Sequence, residues 1–247
     1  MDPESQTSTT HSRCEGPDRT SGRVPTPPRL LVTAGPTHEP IDEVRFLGNR
    51  SSGRLGIEIA AEAARRTWPT TLLLGPVDAA VDLPEHVRVR RFTTSRDLES
   101  ALSRHAGDTD LLIMAAAVAD HRPVGVHPGK LRRDGDRIAL ELEAVPDLVA
   151  GVAAARPRGD TPPRPTIVAF ALEPADELEV SARRKLRRKG VEAIIANPIE
   201  TLASDVIEAT LLRADGEIRR PTTTAGPPTK KAFAAWLLDE CLELLRK

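Results

Sequence analysis

The chain has no tyrosine, four phenylalanines and two tryptophans in 247 residues, so aromatics make up 2% of it. Proteins that grip single-stranded nucleic acid stack its bases on aromatic side chains, and this composition offers no such platform. An excess of one charge is also missing: 35 lysines and arginines meet 36 aspartates and glutamates, for a net charge of -1. That balance supplies no basic field for a phosphate backbone. Two cysteines, Cys14 and Cys241, provide no disulfide framework. No apolar run reaches the length of a membrane span, and the N-terminus lacks the apolar core of a signal peptide. The expectation is a soluble cytoplasmic protein that engages neither nucleic acid nor membrane. The six histidines (His11, His38, His86, His105, His121 and His127) show no paired zinc spacing. Gly-x-Ser-x-Gly, Ser-His-Asp and Gly-x-Gly-x-x-Gly signatures are absent as well.

What is present is an alternation of strand and helix patterns. Met1 to Pro28 is rich in Ser, Thr, Pro and charge, and reads as a disordered tail. Residues 29–247 read as one domain. Strands are predicted at Leu30–Thr33, Thr71–Leu74, Val87–Phe92, Leu111–Ala117, Ile138–Leu142, Thr166–Phe170 and Ala193–Ala196, with two short ones near Val206–Leu212 and Glu217–Arg219. Helices are predicted from Gly53 to Arg66, from Thr94-Ser95, from Pro146-Asp147, over Asp176–Lys189 and from Lys230 to about Leu245. Ser51 or Ser52 is the predicted N-cap of the first helix. Between strand and helix, Ala34–Ser52 reads as a long polar loop, and His121–Asp136 is too long for an ordinary connection. The pattern predicts an α/β fold, Rossmann-like, with three α/β/α layers around a mainly parallel sheet. Ligands of such sheets bind outside the carboxyl ends of the strands.

Several groups sit at those ends, each with two readings. Asn49-Arg-Ser-Ser-Gly53 fits a helix start on a surface loop, or a turn whose amides meet an anion while Asn49 bonds an acyl or phosphoryl oxygen. Asp120, after the apolar strand Leu111–Ala117, is a solubilising loop residue or a contact to base, ribose or metal-bound water. Lys130-Leu-Arg-Arg133 is a solvated basic face, or a mobile lysine that neutralises charge in phosphoryl or nucleotidyl transfer. Lys185 and Lys189 share a helical face near a C-terminus, where the helix dipole favours cations by itself, and where a triphosphate could also sit. Cys241, beside Leu242 and Leu244, reads as a buried structural thiol.

In order along the chain, these residues resemble the bacterial phosphopantothenate–cysteine ligase family, from about Leu30 to the last helix. The family's Thr-Ala-Gly…Glu-Pro-Ile-Asp…Arg…Asn-x-Ser-Ser-Gly block matches Thr33 to Gly53. Its Ala-Ala-Val-Ala-Asp strand end matches Ala116–Asp120, and its Lys-Ile-Lys-Lys loop resembles Lys130–Arg133. A Pro-Asp-Ile pattern matches Pro146–Val149, a Gly-Phe-Ala-x-Glu segment resembles Ala169–Glu173, and Lys-x3-Lys…Ala-Asn matches Lys185, Lys189 and Ala196-Asn197.

The resemblance implies a two-step ligation. The carboxylate of phosphopantothenate attacks the α-phosphate of CTP, with Mg2+ present, to give an acyl-cytidylate and pyrophosphate. The amino group of cysteine then displaces CMP. It further implies that Asn49 holds the acyl-cytidylate carbonyl and that Lys130 closes over the phosphates. Met114, Ala115, Ala116, Asp120, Pro146, Asp147, Leu148, Val149 and Phe170 would frame the nucleotide, and Lys185 and Lys189 would meet its phosphates. Gly35, Ser51, Ser52 and Gly53 would bind the phosphate of the substrate. A homodimer is implied, with a protruding loop or β-flap at its contact and the lysine loop completing the active site across the interface. Metal ligands remain unassigned.

Some positions depart from the family pattern. Pro36 replaces a common glycine and removes an amide donor. Arg132 and Arg133 replace lysines, His121 replaces a tyrosine, and Ala169 and Leu172 alter the nucleotide pocket. Many relatives are fused behind a flavin-dependent decarboxylase domain, for which 28 residues leave no room. The expectation is therefore no FMN, with a separate phosphopantothenoylcysteine decarboxylase as a possible associate. Two other readings share the fold. An NAD(P)-dependent oxidoreductase would need an acidic residue where the second strand ends in Leu74-Gly75-Pro76. A non-catalytic nucleotide-binding protein would have no need of Asn49, Lys130 and both helix lysines.

Overall fold

The computed structural model describes residues 26–78, 81–132, 137–157, 159, 164–199, 204–223 and 226–246. Most of the predicted tail, 1–25, and with it Cys14 and His11, lies outside the described residues, as does Arg133.

Five strands form a parallel array: β1 (Leu30–Ala34), β4 (Thr70–Leu74), β5 (Arg88–Arg91), β6 (Leu111–Met114) and β9 (Thr166–Glu173), joined by parallel β10 (Ala193–Pro198). Antiparallel β11 (Thr210–Arg213) and β12 (Ile218–Arg219) complete one edge. The order across the sheet is β12-β11-β10-β9-β6-β1-β4-β5. Two small antiparallel pairs stand apart: β2 (His38–Pro40) with β3 (Phe46–Gly48), and β7 (His121–Pro123) with β8 (Leu142–Ala144).

Alternate strand residues serve opposite faces, as a two-residue period requires. Leu30, Val32, Leu72, Leu74, Ile113, Val168 and Ile195 pack on one side with α1 (Arg54–Arg65) and α5 (Lys230–Arg246). Leu31, Leu73, Leu112, Ile167 and Ile194 pack on the other with α2 (Ser95–His105), α3 (Leu148–Ala154) and α4 (Leu178–Lys189). The three-layer α/β/α expectation therefore holds. Each leucine sealed in these layers contributes roughly 1.5–3 kcal/mol. Cys241 is buried in the α1–α5 layer, where burial pushes its thiol far above the ordinary value.

Local chemistry sets the element ends. Helix α2 opens with a reciprocal capping box, Thr94 Oγ1 accepting from the Asp97 amide and Asp97 from the Thr94 amide. Helix α1 is different, and neither Ser51 nor Ser52 caps it. The N-cap is Gly53, at φ 69°, with no side-chain hydrogen bond. A Cβ there would stand 2.9 Å from Val77 Cγ1 and 3.2 Å from the Gly35 nitrogen, so glycine is required both by its backbone angle and by the approach of two loops. The serines instead sit beside the turn, Ser51 Oγ accepting from Gly53 N–H at 3.4 Å.

Other boundaries also move. Strand β6 stops at Met114 rather than Ala117, because the chain turns there to bridge Pro36 through Ala117. The strand predicted at Ile138–Leu142 lies further on, at Leu142–Ala144, paired with His121–Pro123 inside the segment read as loop. The long polar loop after β1 contains the β2–β3 hairpin, braced by His38 stacked on Phe46 with centroids 3.6 Å apart.

Candidate functional site

Chain direction across the sheet reverses between β1 and β6: later strands add on one side of β1, then on the other. At such a switch point the two following loops diverge and leave a crevice. Here they are laced together. Ala117 N–H donates to Gly35 O (2.9 Å), and Thr37 N–H to Ala117 O (3.2 Å). Thr33 Oγ1 accepts from Ala116 N–H (3.0 Å), and Thr37 Oγ1 from Ala119 N–H (3.0 Å). The ladder runs through the residues on either side of Pro36, so the lost amide of that proline costs no bond within the ladder. Asn49 joins the same lacing, its Nδ2 donating to Val118 O at 2.8 Å.

Beyond the ends of β6 and β9 lies a cleft of about 480 Å³. Met114, Ala116 and Asp120 line it from the β6 side, and Phe170 from β9. Pro146, Asp147, Leu148 and Val149 form its wall at the start of α3, and Lys185 and Lys189 reach it from α4. Ten residues implied for the nucleotide thus share one cavity. Ala115, next to Met114 in the chain, is not among the lining residues, and neither is Lys130. Val118, Ala119, Val145, Ala150 and Arg188 line the cleft without having been anticipated. The first four are small or apolar residues: Val118 and Ala119 lay inside the matched Ala116–Asp120 motif without a role, and Val145 and Ala150 flank the start of α3. Arg188 stood unmarked in an arginine-rich run.

The cations of the cleft are paired. Lys189 Nζ lies 2.7 Å from both oxygens of Asp147, and Arg188 Nη2 is 3.5 Å from Asp147 Oδ2. Lys185 Nζ pairs with the buried Glu173 at the end of β9. Asp147 also caps α3, Oδ1 accepting from Ala150 N–H at 3.2 Å. Burial works against the charge of Asp147, but the Lys189 bond, the Ala150 amide and the neighbouring cations outweigh it and hold its pKa below the ordinary range. An incoming phosphate would find both lysines already held in place by carboxylates, and would exchange places with one of them.

A second cavity, of about 400 Å³, lies between α2 and α3. Its most buried cation, Arg156, is spent on Glu192 (2.8 Å) and on the Gly190 and Pro165 carbonyls, so it converges no free polar groups on a ligand.

Lys130 occupies a separate depression of the surface with His127, Arg132, Arg137 and Ile138. Its neighbours are tied to the β2–β3 hairpin: His127 N–H donates to Ile41 O (2.9 Å) and Leu131 N–H to Asp42 Oδ2 (3.0 Å). The lysine segment is therefore anchored on both sides of Lys130. Gly35 and Gly53 adjoin each other at the start of α1, with Ser51 and Ser52 just before, so these four form a patch beside Asn49 rather than part of the cleft.

Among the described residues no group of three or more His, Cys, Asp or Glu side chains could hold a metal, and no helix is long and apolar enough to cross a membrane.

The family model for the DNA/pantothenate metabolism flavoprotein C-terminal domain matches residues 26–244. The coenzyme A biosynthesis bifunctional protein CoaBC of Mycobacterium bovis is 42% identical over 195 residues, 76% of this chain and 46% of that protein. Its counterpart in Escherichia coli K12 is 36% identical over 218 residues, 85% of this chain and 50% of that one. The chain thus spans about half the length of these curated relatives. A crystal structure of the C-terminal domain of a CoaBC protein superposes with a TM-score of 0.72 at 32% identity, covering 89% of this chain and 96% of that one.

Proposed function

From the membership of this chain in the DNA/pantothenate metabolism flavoprotein C-terminal domain family, we propose that it joins cysteine to phosphopantothenate in coenzyme A biosynthesis. The observation that carries the reading is the cleft beyond the ends of β6 and β9. It gathers ten of the residues that the ligase resemblance implies for a nucleotide, including two lysines of α4.

The chemistry needs no protein nucleophile. A substrate carboxylate attacks the α-phosphorus of CTP, the bond to the β-phosphate oxygen breaks, and pyrophosphate leaves. Lys185 and Lys189 offset the growing negative charge, helped by Lys130. Asn49, fixed by its bond to Val118 O, then donates Nδ2–H to the carbonyl oxygen of the acyl-cytidylate. The cysteine amine attacks that carbonyl, loses a proton, and CMP departs. Gly35, Ser51, Ser52 and Gly53 offer backbone and hydroxyl groups to the substrate phosphate at the start of α1, whose N-cap is a glycine. Mg2+ would arrive on the nucleotide phosphates, as this ion usually does, and no step above is assigned to it.

The same reading extends to a homodimer formed through the flap, the β7–β8 pair. Val44 and Phe46 on the hairpin, and Val126, Ile138 and Leu140 beside the flap, are exposed apolar residues concentrated in one region. Lys130, outside the cleft of its own chain, fits a contribution to the site of a partner. Residues 29–247 serve as one ligase domain, whose product a decarboxylase would consume.

The test is pyrophosphate release by purified protein given phosphopantothenate and magnesium with either CTP or ATP. Release with CTP that requires phosphopantothenate supports the reading; release with ATP alone reassigns the nucleotide. No release with either favours a non-catalytic nucleotide-binding protein.

A further inference from the structure

Asp42 sits at the tip of the β2–β3 hairpin, among the most exposed residues of the molecule, yet its own side chain is 0% exposed. Its oxygens accept five hydrogen bonds. Oδ1 takes the N–H groups of Val44 (2.8 Å) and Arg45 (2.6 Å), which closes a local turn. Oδ2 takes Arg45 Nε (3.0 Å), Arg45 Nη2 (2.6 Å) and the N–H of Leu131 (3.0 Å), 89 positions along the chain. Arg45 Nη2 also donates to Leu131 O at 2.7 Å, so both polar groups of the residue after Lys130 are held by one ion pair. Three residues before Lys130, His127 N–H donates to Ile41 O. A turn alone would need only Oδ1. The second oxygen faces the lysine segment.

We propose that Asp42 is a positioning residue, which through Leu131 fixes the backbone next to Lys130 and sets where its ammonium can reach. The inference rests on the ligase reading for what Lys130 does. Since Asn49 directly follows β3, one hairpin then couples the residue assigned to nucleotide activation with the residue assigned to amide formation. Buried and ionised, Asp42 is well suited to the task. Burial opposes its charge, but the amides of Leu131, Val44 and Arg45 and the Arg45 side chain outweigh that cost and hold it well below the ordinary carboxylate range.

Asp42→Asn separates the two halves of the arrangement. An asparagine oxygen can keep the local turn, whereas its amide group would present donors to Leu131 N–H and Arg45, which are donors themselves. The expected result is a fall in kcat for pyrophosphate release of about 10- to 100-fold, the usual cost of a misplaced group, with KM values for phosphopantothenate and nucleotide shifted far less. Trypsin should cleave after Lys130 and Arg132 faster than in the parent protein. Leu131→Pro provides a second variant, deleting the N–H that Asp42 accepts while also fixing φ there and removing the leucine side chain, and should show the same kcat-dominated loss. Unchanged kcat in both variants, or unchanged cleavage at the two sites in Asp42→Asn, would overturn the proposal. A parent protein that releases no pyrophosphate would defeat the ligase reading instead, while the cleavage rates would still judge the tether.

Discussion

The cleft and the hairpin–flap region come from the same chain by different means. The cleft hangs from β6 and β9, whose residues are nearly all buried, and its cations are each paired with a carboxylate. The hairpin and flap use three-residue strands, stand apart from the main sheet, and expose Val44, Phe46, Val126, Ile138 and Leu140. The first region gathers its charges in one cavity, whereas Lys130 lies outside that cavity, in a depression of its own. The difference teaches that the cleft's paired charges, carried on α4 and at the start of α3, are set against the ends of buried strands, while the hairpin and flap are short ribbons held by a few hydrogen bonds.

The largest effect expected from breaking this division is at Lys130. Lys130→Ala should lower pyrophosphate release by roughly a thousandfold, since charge stabilisation is the main catalytic device available. Stopped assays of the first step measure this directly. Asn49→Asp should spare that step but slow the cysteine step about a hundredfold, because a donor aimed at the carbonyl oxygen becomes a repelling carboxylate. Single-turnover formation of the amide from preformed acyl-cytidylate checks it. If both variants make product at the parent rate, the roles assigned to the two residues are wrong.

Much of the first region was legible in the sequence, and much of the second was not. Leu111-Leu-Ile-Met114 could be placed because a strand covered on both faces is a continuous apolar run. Asp120 could be set at the carboxyl end of that strand, whereas Pro146 and Phe170 were implied for the cleft by the family resemblance and not by the pattern of strands. The β2–β3 hairpin left no such trace: three residues per strand, one of them Pro40 and another Gly48, carry no period. The flap strand was set too early for the same reason, as Ile138 and Leu140 are apolar but exposed, and their alternation imitated burial. Asp42 could be seen only as a letter of a motif, because its partner Leu131 is joined by folding and not by spacing.

Charging the exposed apolar patch sharpens the comparison further. Val126→Asp with Leu140→Asp should weaken self-association about a hundredfold, with the fold intact, as sedimentation and circular dichroism would report. A dimer that persists would remove the patch from the interface. Gly56→Ala probes the buried region instead: an added Cβ would meet Ala34 Cβ at 2.5 Å and Thr33 O at 2.8 Å. The expected loss in a denaturant titration is about 1–3 kcal/mol.

The smallest effect concerns pH. Because the pKa of Asp147 is depressed in the folded protein, its pairing with Lys189 stabilises above the ordinary carboxylate range. That contribution disappears as pH falls through the range to the depressed value. Asp147→Asn should therefore cost stability near neutral pH, about 1 kcal/mol for this partly exposed pair, and almost nothing in strong acid. Thermal unfolding across that interval reads the difference.

The most direct test of the account is the stoichiometry of the full reaction with isotopically labelled cysteine, phosphopantothenate, magnesium and CTP. One labelled phosphopantothenoylcysteine is expected for each CMP and each pyrophosphate released. Nucleotide binding with no labelled amide, from folded protein supplied with either CTP or ATP, would contradict it.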